Sequence, residues 1–227
     1  MAVLTADHVE YVYRNAYQTV KAVNGVSFAF ETGRLYAVAG ASGSGKTTFL
    51  SLLAGLDVPS GGCILFQGIS MAKMDRDEYR RDHVSVIYQN YNLFQHLTVL
   101  ENAAYPLYLK REPKREADTA ARETLLSLGL KEEQLGRLPN MLSGGEQQRV
   151  AVARALVCGT EIILADEPTG NLDSENTKKI VELFQKLAHR EGRCVILVTH
   201  DPEVSQGADV VLHMRDGKLT EGVTYEV

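Results

Sequence analysis

Gly40-Ala41-Ser42-Gly43-Ser44-Gly45-Lys46-Thr47 stands between the apolar run Leu35-Tyr36-Ala37-Val38-Ala39 and the segment Thr48-Phe49-Leu50-Ser51-Leu52-Leu53-Ala54. The apolar run suits a buried strand, and the following segment carries the apolar face of a helix. Strand, glycine loop and helix in that order form a phosphate-binding turn, spelled here Gly-x-x-x-x-Gly-Lys-Thr. Gly40, Gly43 and Gly45, with Ser42 and Ser44 between them, bare successive backbone N–H groups that converge on phosphate oxygens. The start of the helix, at Thr47 and Thr48, adds unpaired N–H groups and a partial positive charge. Lys46 is placed for the outer phosphates and the Thr47 hydroxyl for Mg²⁺. The stretch therefore predicts an α/β fold and a site for a nucleoside triphosphate.

A second buried strand, Ile162-Ile163-Leu164-Ala165, ends in Asp166-Glu167. Continuous hydrophobicity fits a parallel strand covered on both faces, whose carboxyl end emerges beside the glycine loop. Asp166 is then placed to hold Mg²⁺, and Glu167 to take a proton from an attacking water. Two more runs follow the same logic. Val84-Ser85-Val86-Ile87-Tyr88 ends in Gln89, and Cys194-Val195-Ile196-Leu197-Val198 ends in Thr199-His200. By themselves, Gln89 reads equally well as a turn amide, and a lone His is more often structural.

The N-terminal stretch Val9 to Phe30 reads as strands, with Tyr13 as a half-exposed strand tyrosine, and Asp216-Gly217 as a hairpin turn between two closing strands. From Asn90 to Cys158 the texture changes: Pro106 and Pro113 punctuate helical segments, and Ala117, Ala120, Ala121, Leu125 and Leu128 fall at helical spacing. This predicts a helical insertion at 90–158 in an α/β core of 1–89 and 159–227, all within one domain. Inside the insertion, Leu142-Ser143-Gly144-Gly145-Glu146-Gln147-Gln148-Arg149 opens a helix, with Ser143 and Glu146 spaced as a capping box. Two glycines in a first turn cost about 1 kcal/mol each relative to alanine. They mark either a flexible lead-in or a second place where an anion approaches bare backbone.

The bulk numbers narrow the class. With 227 residues and a net charge of −5, the chain is long enough for a sizeable core and is not built electrostatically to hold nucleic acid. Cys63, Cys158 and Cys194 are odd in number and lie in apolar surroundings, which predicts core thiols in a reducing compartment. Neither a secretory signal nor an apolar run of about 18 residues is visible, so the chain is not expected to span a bilayer.

Taken together, the order of these motifs resembles the nucleotide-binding subunits of ATP-binding-cassette (ABC) transporters over nearly the whole chain. The resemblance implies an ABC-type P-loop ATPase core, with a mainly parallel sheet, an antiparallel β part and a helical subdomain. It implies that Tyr13 stacks on adenine, that Gln89 senses both Mg²⁺ and permease, and that His200 is the γ-phosphate switch. Asp166 and Glu167 match the metal-binding and catalytic carboxylates, and Asp173 an aspartate that contacts the partner subunit. Ser143, Gly144, Gly145 and Glu146 match the stretch that completes the ATP site of a second, identical subunit. Glu146 stands where the commonest sequence has Gln, and Tyr88 where Phe is frequent. ATP, Mg²⁺, a second ATPase subunit and an integral-membrane permease are thus the implied partners, at the cytoplasmic face of the membrane and without nucleic acid. Gly55 to Gly62 and Glu167 to Asp173 look like the branch serving lipoprotein release, macrolide export and antimicrobial-peptide resistance. That branch also contains a cell-division ATPase that signals without moving a solute, which is the alternative reading. A soluble ribosome or nucleic-acid ATPase would be favoured by coiled-coil arms or a second cassette, and neither is present.

Overall fold

β-Branched and aromatic residues recur through the N-terminal stretch, which forms two long strands, β1 (Ala2–Arg14) and β2 (Thr19–Glu31), paired antiparallel. In the computed structural model, which describes residues 2–14, 18–170 and 174–222, these strands join β4 (Gly61–Phe66) and β5 (Ile69–Ser70) in an antiparallel sheet ordered β2-β1-β4-β5. Asp173 lies outside the described residues.

The second sheet has six strands. β3 (Arg34–Ala39), β6 (Val84–Ile87), β7 (Ile162–Asp166), β8 (Cys194–Thr199) and β9 (Val210–Arg215) run parallel. β10 (Lys218–Glu221) closes the edge antiparallel to β9, across the expected Asp216-Gly217 turn. The order is β10-β9-β3-β8-β7-β6. Every residue of β7 and β8 is buried, as unbroken apolar runs require when both faces are covered. On one face lie α1 (Lys46–Leu53) and the antiparallel sheet, in a core that includes Phe30, Tyr36, Phe49 and Ile196. On the other, α6 (Ser174–His189) and α7 (Pro202–Gln206) pack Ile180, Phe184 and Val204 against Leu35, Val195 and Leu197. α2 (Arg76–Asp82) leads into β6 and is capped by the Asp75 carboxylate.

Between β6 and β7 the chain builds α3 (Val99–Leu109), α4 (Lys114–Ser127) and α5 (Gly144–Leu156). They share an apolar cluster that includes Val99, Ala103, Ala117, Ala121, Leu125, Val150 and Ala153. Pro106 does not punctuate as its chemistry suggests. It lies inside α3, which runs on to Leu109, so the break falls three residues beyond it. The cysteines also depart from expectation. Cys194 is buried on β8, but Cys63 and Cys158 are only partly buried, because Cys63 takes an outward position on β4 and Cys158 follows the end of α5.

Candidate active site

Four adjacent strands deliver their ends to one edge. The register pairs Ala39 with Thr199, Asp166 with Val198, and Ile87 with Ala165. The residues that follow these strands are therefore neighbours: the glycine loop after β3, His200 after β8, Glu167 after β7 and Gln89 after β6. Sequence separations of 78 residues (Gln89 to Glu167) and 33 residues (Glu167 to His200) collapse to hydrogen-bond distances here, because parallel strands all end on the same side.

The glycine loop is locked from outside by backbone. A Cβ on Gly45 would stand 2.1 Å from the Ala22 carbonyl oxygen, and one on Gly40 would stand 2.2 Å from that of Met214. Gly45 also takes φ 106° as the residue before α1, and no side chain caps that helix start. Its first N–H groups are thus left for a ligand. Lys46 is 6% exposed and donates from Nζ to the carbonyls of Gly40 and Ala41, each at 2.8 Å. No ion pair among the described residues involves Lys46. Ser44, 8% exposed, keeps a buried hydroxyl without a hydrogen-bond partner. A buried cation held by backbone carbonyls and, among the described residues, in no ion pair, beside an orphaned hydroxyl and uncapped helix N–H groups, suits a polyanion.

Opposite stands the acidic edge. Asp166 is 9% exposed, and burial is the main cause that raises its carboxyl above the ordinary carboxylate range. A hydrogen bond with Thr47 works the other way, Glu167 adds to the rise, and Lys46 opposes it. Glu167 adopts φ 48°, a left-handed conformation unusual for a residue with a side chain. Its N–H donates to the Val198 carbonyl at 2.9 Å. That backbone turn swings the carboxylate across the edge. Oε2 accepts from Gln89 Nε2 at 2.8 Å, and Oε1 lies 2.8 Å from His200 Nδ1. A strained backbone holding a carboxylate between two side chains from other strands is the signature of a positioned reactive group.

Together these residues line a cleft of about 920 Å³, and Tyr13, 50% exposed on β1, lines it too. The Tyr13 hydroxyl lies 3.2 Å from Thr48 Oγ1 in the first turn of α1. Gly40 and Ser44 lie within the loop itself, while Ser42, Gly43, Gly45, Lys46, Thr47, Thr48, Gln89, Asp166, Glu167 and His200 face the cleft. Ser143, Gly144, Gly145 and Glu146 do not. They open α5 as the expected capping box, in which the Ser143 N–H and Oγ each donate to Glu146 Oε2 at 2.7 Å. Those bonds hold the Glu146 carboxyl below its usual range, assisted by Gln134 and Arg149. The sequence reading missed Val20, Lys21, Ala22, Asp216 and Gly217, which complete the cleft from β2 and the final hairpin. No local signal marks these residues, since only the packing of β2 and β9 over the loop brings them there.

A lysine-bearing glycine loop facing the acidic end of a neighbouring parallel strand defines a P-loop nucleoside triphosphatase. The sequence profile of the ABC transporter family matches residues 23–170. The chain belongs to that family and is an ABC ATPase. It is 40% identical over 220 residues to an uncharacterised ABC transporter ATP-binding protein, YclH, of Bacillus subtilis, covering 97% of this chain and 96% of that one. The fold matches the dimeric bacterial ABC transporter cassette MJ0796 with a TM-score of 0.93 and 35% identity, covering 99% of this chain and 100% of that chain. A dimeric post-hydrolysis state of MJ0796 bound to ADP and Pi matches at TM-score 0.93 and 34% identity, with the same coverage. The cassette cbiO1 of Clostridium perfringens, part of the transporter complex cbiONQ, matches at TM-score 0.84 and 25% identity, covering 97% of this chain and 88% of that one.

Proposed function

We propose that this chain is one of two identical ATPase subunits that close on ATP, open after hydrolysis, and so drive a separate integral-membrane permease from the cytoplasmic face. The single observation that carries the reading is the Glu167 carboxylate, held between Gln89 and His200 at the edge where Lys46 stands. Lys46, the loop N–H groups and Thr48 bind the triphosphate, and Tyr13 takes the base. Glu167 accepts a proton from water as the water oxygen attacks the terminal phosphorus. The bond from that phosphorus to its bridging oxygen then breaks, leaving ADP and phosphate. Gln89 and His200 keep Glu167 oriented, and His200 is at the same edge for the terminal phosphate. Thr47 Oγ1, the Asp166 carboxylate and the Gln89 amide oxygen would hold Mg²⁺, as the hard oxygen donors that ion prefers. When bound, that ion neutralises charge on the phosphate oxygens.

The start of α5 is left out of the cleft of its own chain, which supports a pair in which Ser143, Gly144, Gly145 and Glu146 complete the site of the other copy. Asp173 would contribute at the same contact. We assign residues 1–89 and 159–227 to the catalytic core and residues 90–158 to a helical subdomain, supported by the separate apolar cluster of α3 to α5. On the side of β6, a groove of about 510 Å³ is lined by Val86, Leu109 and Cys158 together with Asp77, Arg80, Arg81 and Arg154. Arg80 is paired with Asp77 and Arg81 with Asp82, so what the groove offers a permease segment is its apolar lining. No described helix is long and apolar enough to cross a membrane, so the pathway itself would come from that partner. Sequence likeness at Gly55 to Gly62 points to the lipoprotein, macrolide and antimicrobial-peptide branch.

The test uses Glu167→Gln, which is expected to bind ATP, lose turnover, sediment as a dimer with ATP, and carry a permease through detergent extraction. A variant that stays monomeric with saturating ATP, or that brings no membrane protein, refutes the coupling. A permease that co-purifies but moves no solute assigns the chain to signalling instead.

A further inference from the structure

We infer that Tyr11 is a positioning residue for the base-binding end of the cleft, bracing the Tyr13 ring. The inference rests on the reading of Tyr13 as the base platform. Tyr13 is half exposed towards the end of β1. Among the described residues, two contacts hold its ring. The Tyr11 ring meets it edge-on, with centroids 4.9 Å apart and an interplanar angle of 77°. Thr48 Oγ1 holds the hydroxyl at 3.2 Å. Tyr11 in turn is partly buried against the main core, so it joins the exposed ring to a rigid surface. The Asp57 carboxylate, in the turn after α1, stands beside the Tyr11 hydroxyl; burial first, and then this neighbour, raise that hydroxyl above its ordinary range.

The consequence is geometric. Thr48 lies in the first turn of α1 and Asp57 in the turn after it, so the helix that starts at the phosphate loop and the turn that follows it each touch one member of the aromatic pair. A platform fixed to α1 keeps a set distance between base and phosphates, which lowers the ordering cost of binding. An edge-on ring pair stabilises by about 0.5–1.5 kcal/mol beyond area burial; where ATP has to re-order a Tyr13 ring freed by loss of the pair, that is at most about two- to twelvefold in affinity. Removing Tyr11 therefore weakens binding of the base and leaves the phosphates alone.

Calorimetric titration of the whole chain with ATP and with inorganic tripolyphosphate separates these. Tyr11→Leu keeps apolar bulk against the core but removes the ring edge. It is expected to weaken ATP binding about three- to tenfold and to leave tripolyphosphate affinity within about twofold. Tyr11→Phe keeps the ring and is expected to recover most of the ATP affinity. Tyr13→Ala is the control for the underlying reading, and should weaken ATP at least as much. If Tyr13→Ala weakens ATP while Tyr11→Leu does not, the brace is wrong and the platform stands. If Tyr11→Leu weakens both ligands equally, Tyr11 is merely structural. If Tyr13→Ala changes nothing, platform and brace fall together.

Discussion

Gly45→Ala tests whether the phosphate loop is shaped by the backbone that covers it. The native φ of 106° is far from the left-handed region near +57° that other residues tolerate. Such backbone strain costs about 1–3 kcal/mol. The new methyl carbon would also sit 2.1 Å from the Ala22 carbonyl oxygen and 3.0 Å from Met214 Cε. A methionine tip can move aside, but the carbonyl is backbone of β2, flanked by Lys21 and Val23, which pair with Val12 and Tyr11 of β1. Forced displacement of packed backbone adds about 1–3 kcal/mol. The sum, about 2–6 kcal/mol, is a large share of the roughly 5–15 kcal/mol that holds a domain together. Gly43→Ala supplies the internal comparison, since Gly43 has φ 77° but nothing within 4 Å of its added Cβ. It should lose only the backbone part, about 1–2 kcal/mol. Urea unfolding of both variants, followed by ATP titration at low denaturant, measures the gap. Equal unfolding midpoints for the two variants would mean that the covering strands do not set the loop, and the argument from close approach fails.

Other predictions concern the acidic edge and the thiols. Glu167→Gln should lower turnover by about 10²–10⁴ while leaving the thermal midpoint within a few degrees, because the amide fills the same space between Gln89 and His200; phosphate release above a tenth of the wild-type rate would reject Glu167 as the base. Asp166→Asn should abolish turnover yet raise the melting temperature of the nucleotide-free protein at neutral pH, since burial makes the charged form unfavourable. The sign follows from the folded carboxyl holding its proton more tightly than the unfolded one. Its ionisation therefore costs stability above the raised value, and the advantage of the variant should shrink as the pH falls through it. An advantage that grows in acid would contradict the burial argument. In the native protein, a thiol reagent should label Cys63 and Cys158 well before Cys194, whose thiol burial pushes up to about 12; Cys194 reacting first would mean that β8 is exposed.

Much of this molecule was already legible in its linear order. The glycine loop, the apolar runs ending in Asp166-Glu167, Gln89 and His200, the capping box at Ser143 and the Asp216-Gly217 turn are all local patterns. Backbone chemistry and strand periodicity act over a few residues, so a short stretch states its own preference. Parallel strands also imply a shared edge, which is why residues far apart in the chain were expected to be neighbours. What tertiary structure alone decided are contacts between distant backbones. The Ala22 and Met214 carbonyls press on the glycine loop, Lys21 and Gly217 finish the cleft, and the Tyr11 ring braces Tyr13. Even the left-handed turn at Glu167 belongs to this group, because its strain is held by pairing with β8 rather than by any preference of Glu-Pro-Thr. Carbonyl oxygens carry no sequence signature, and a ring contact depends on how strands twist together, so neither is written in residue order.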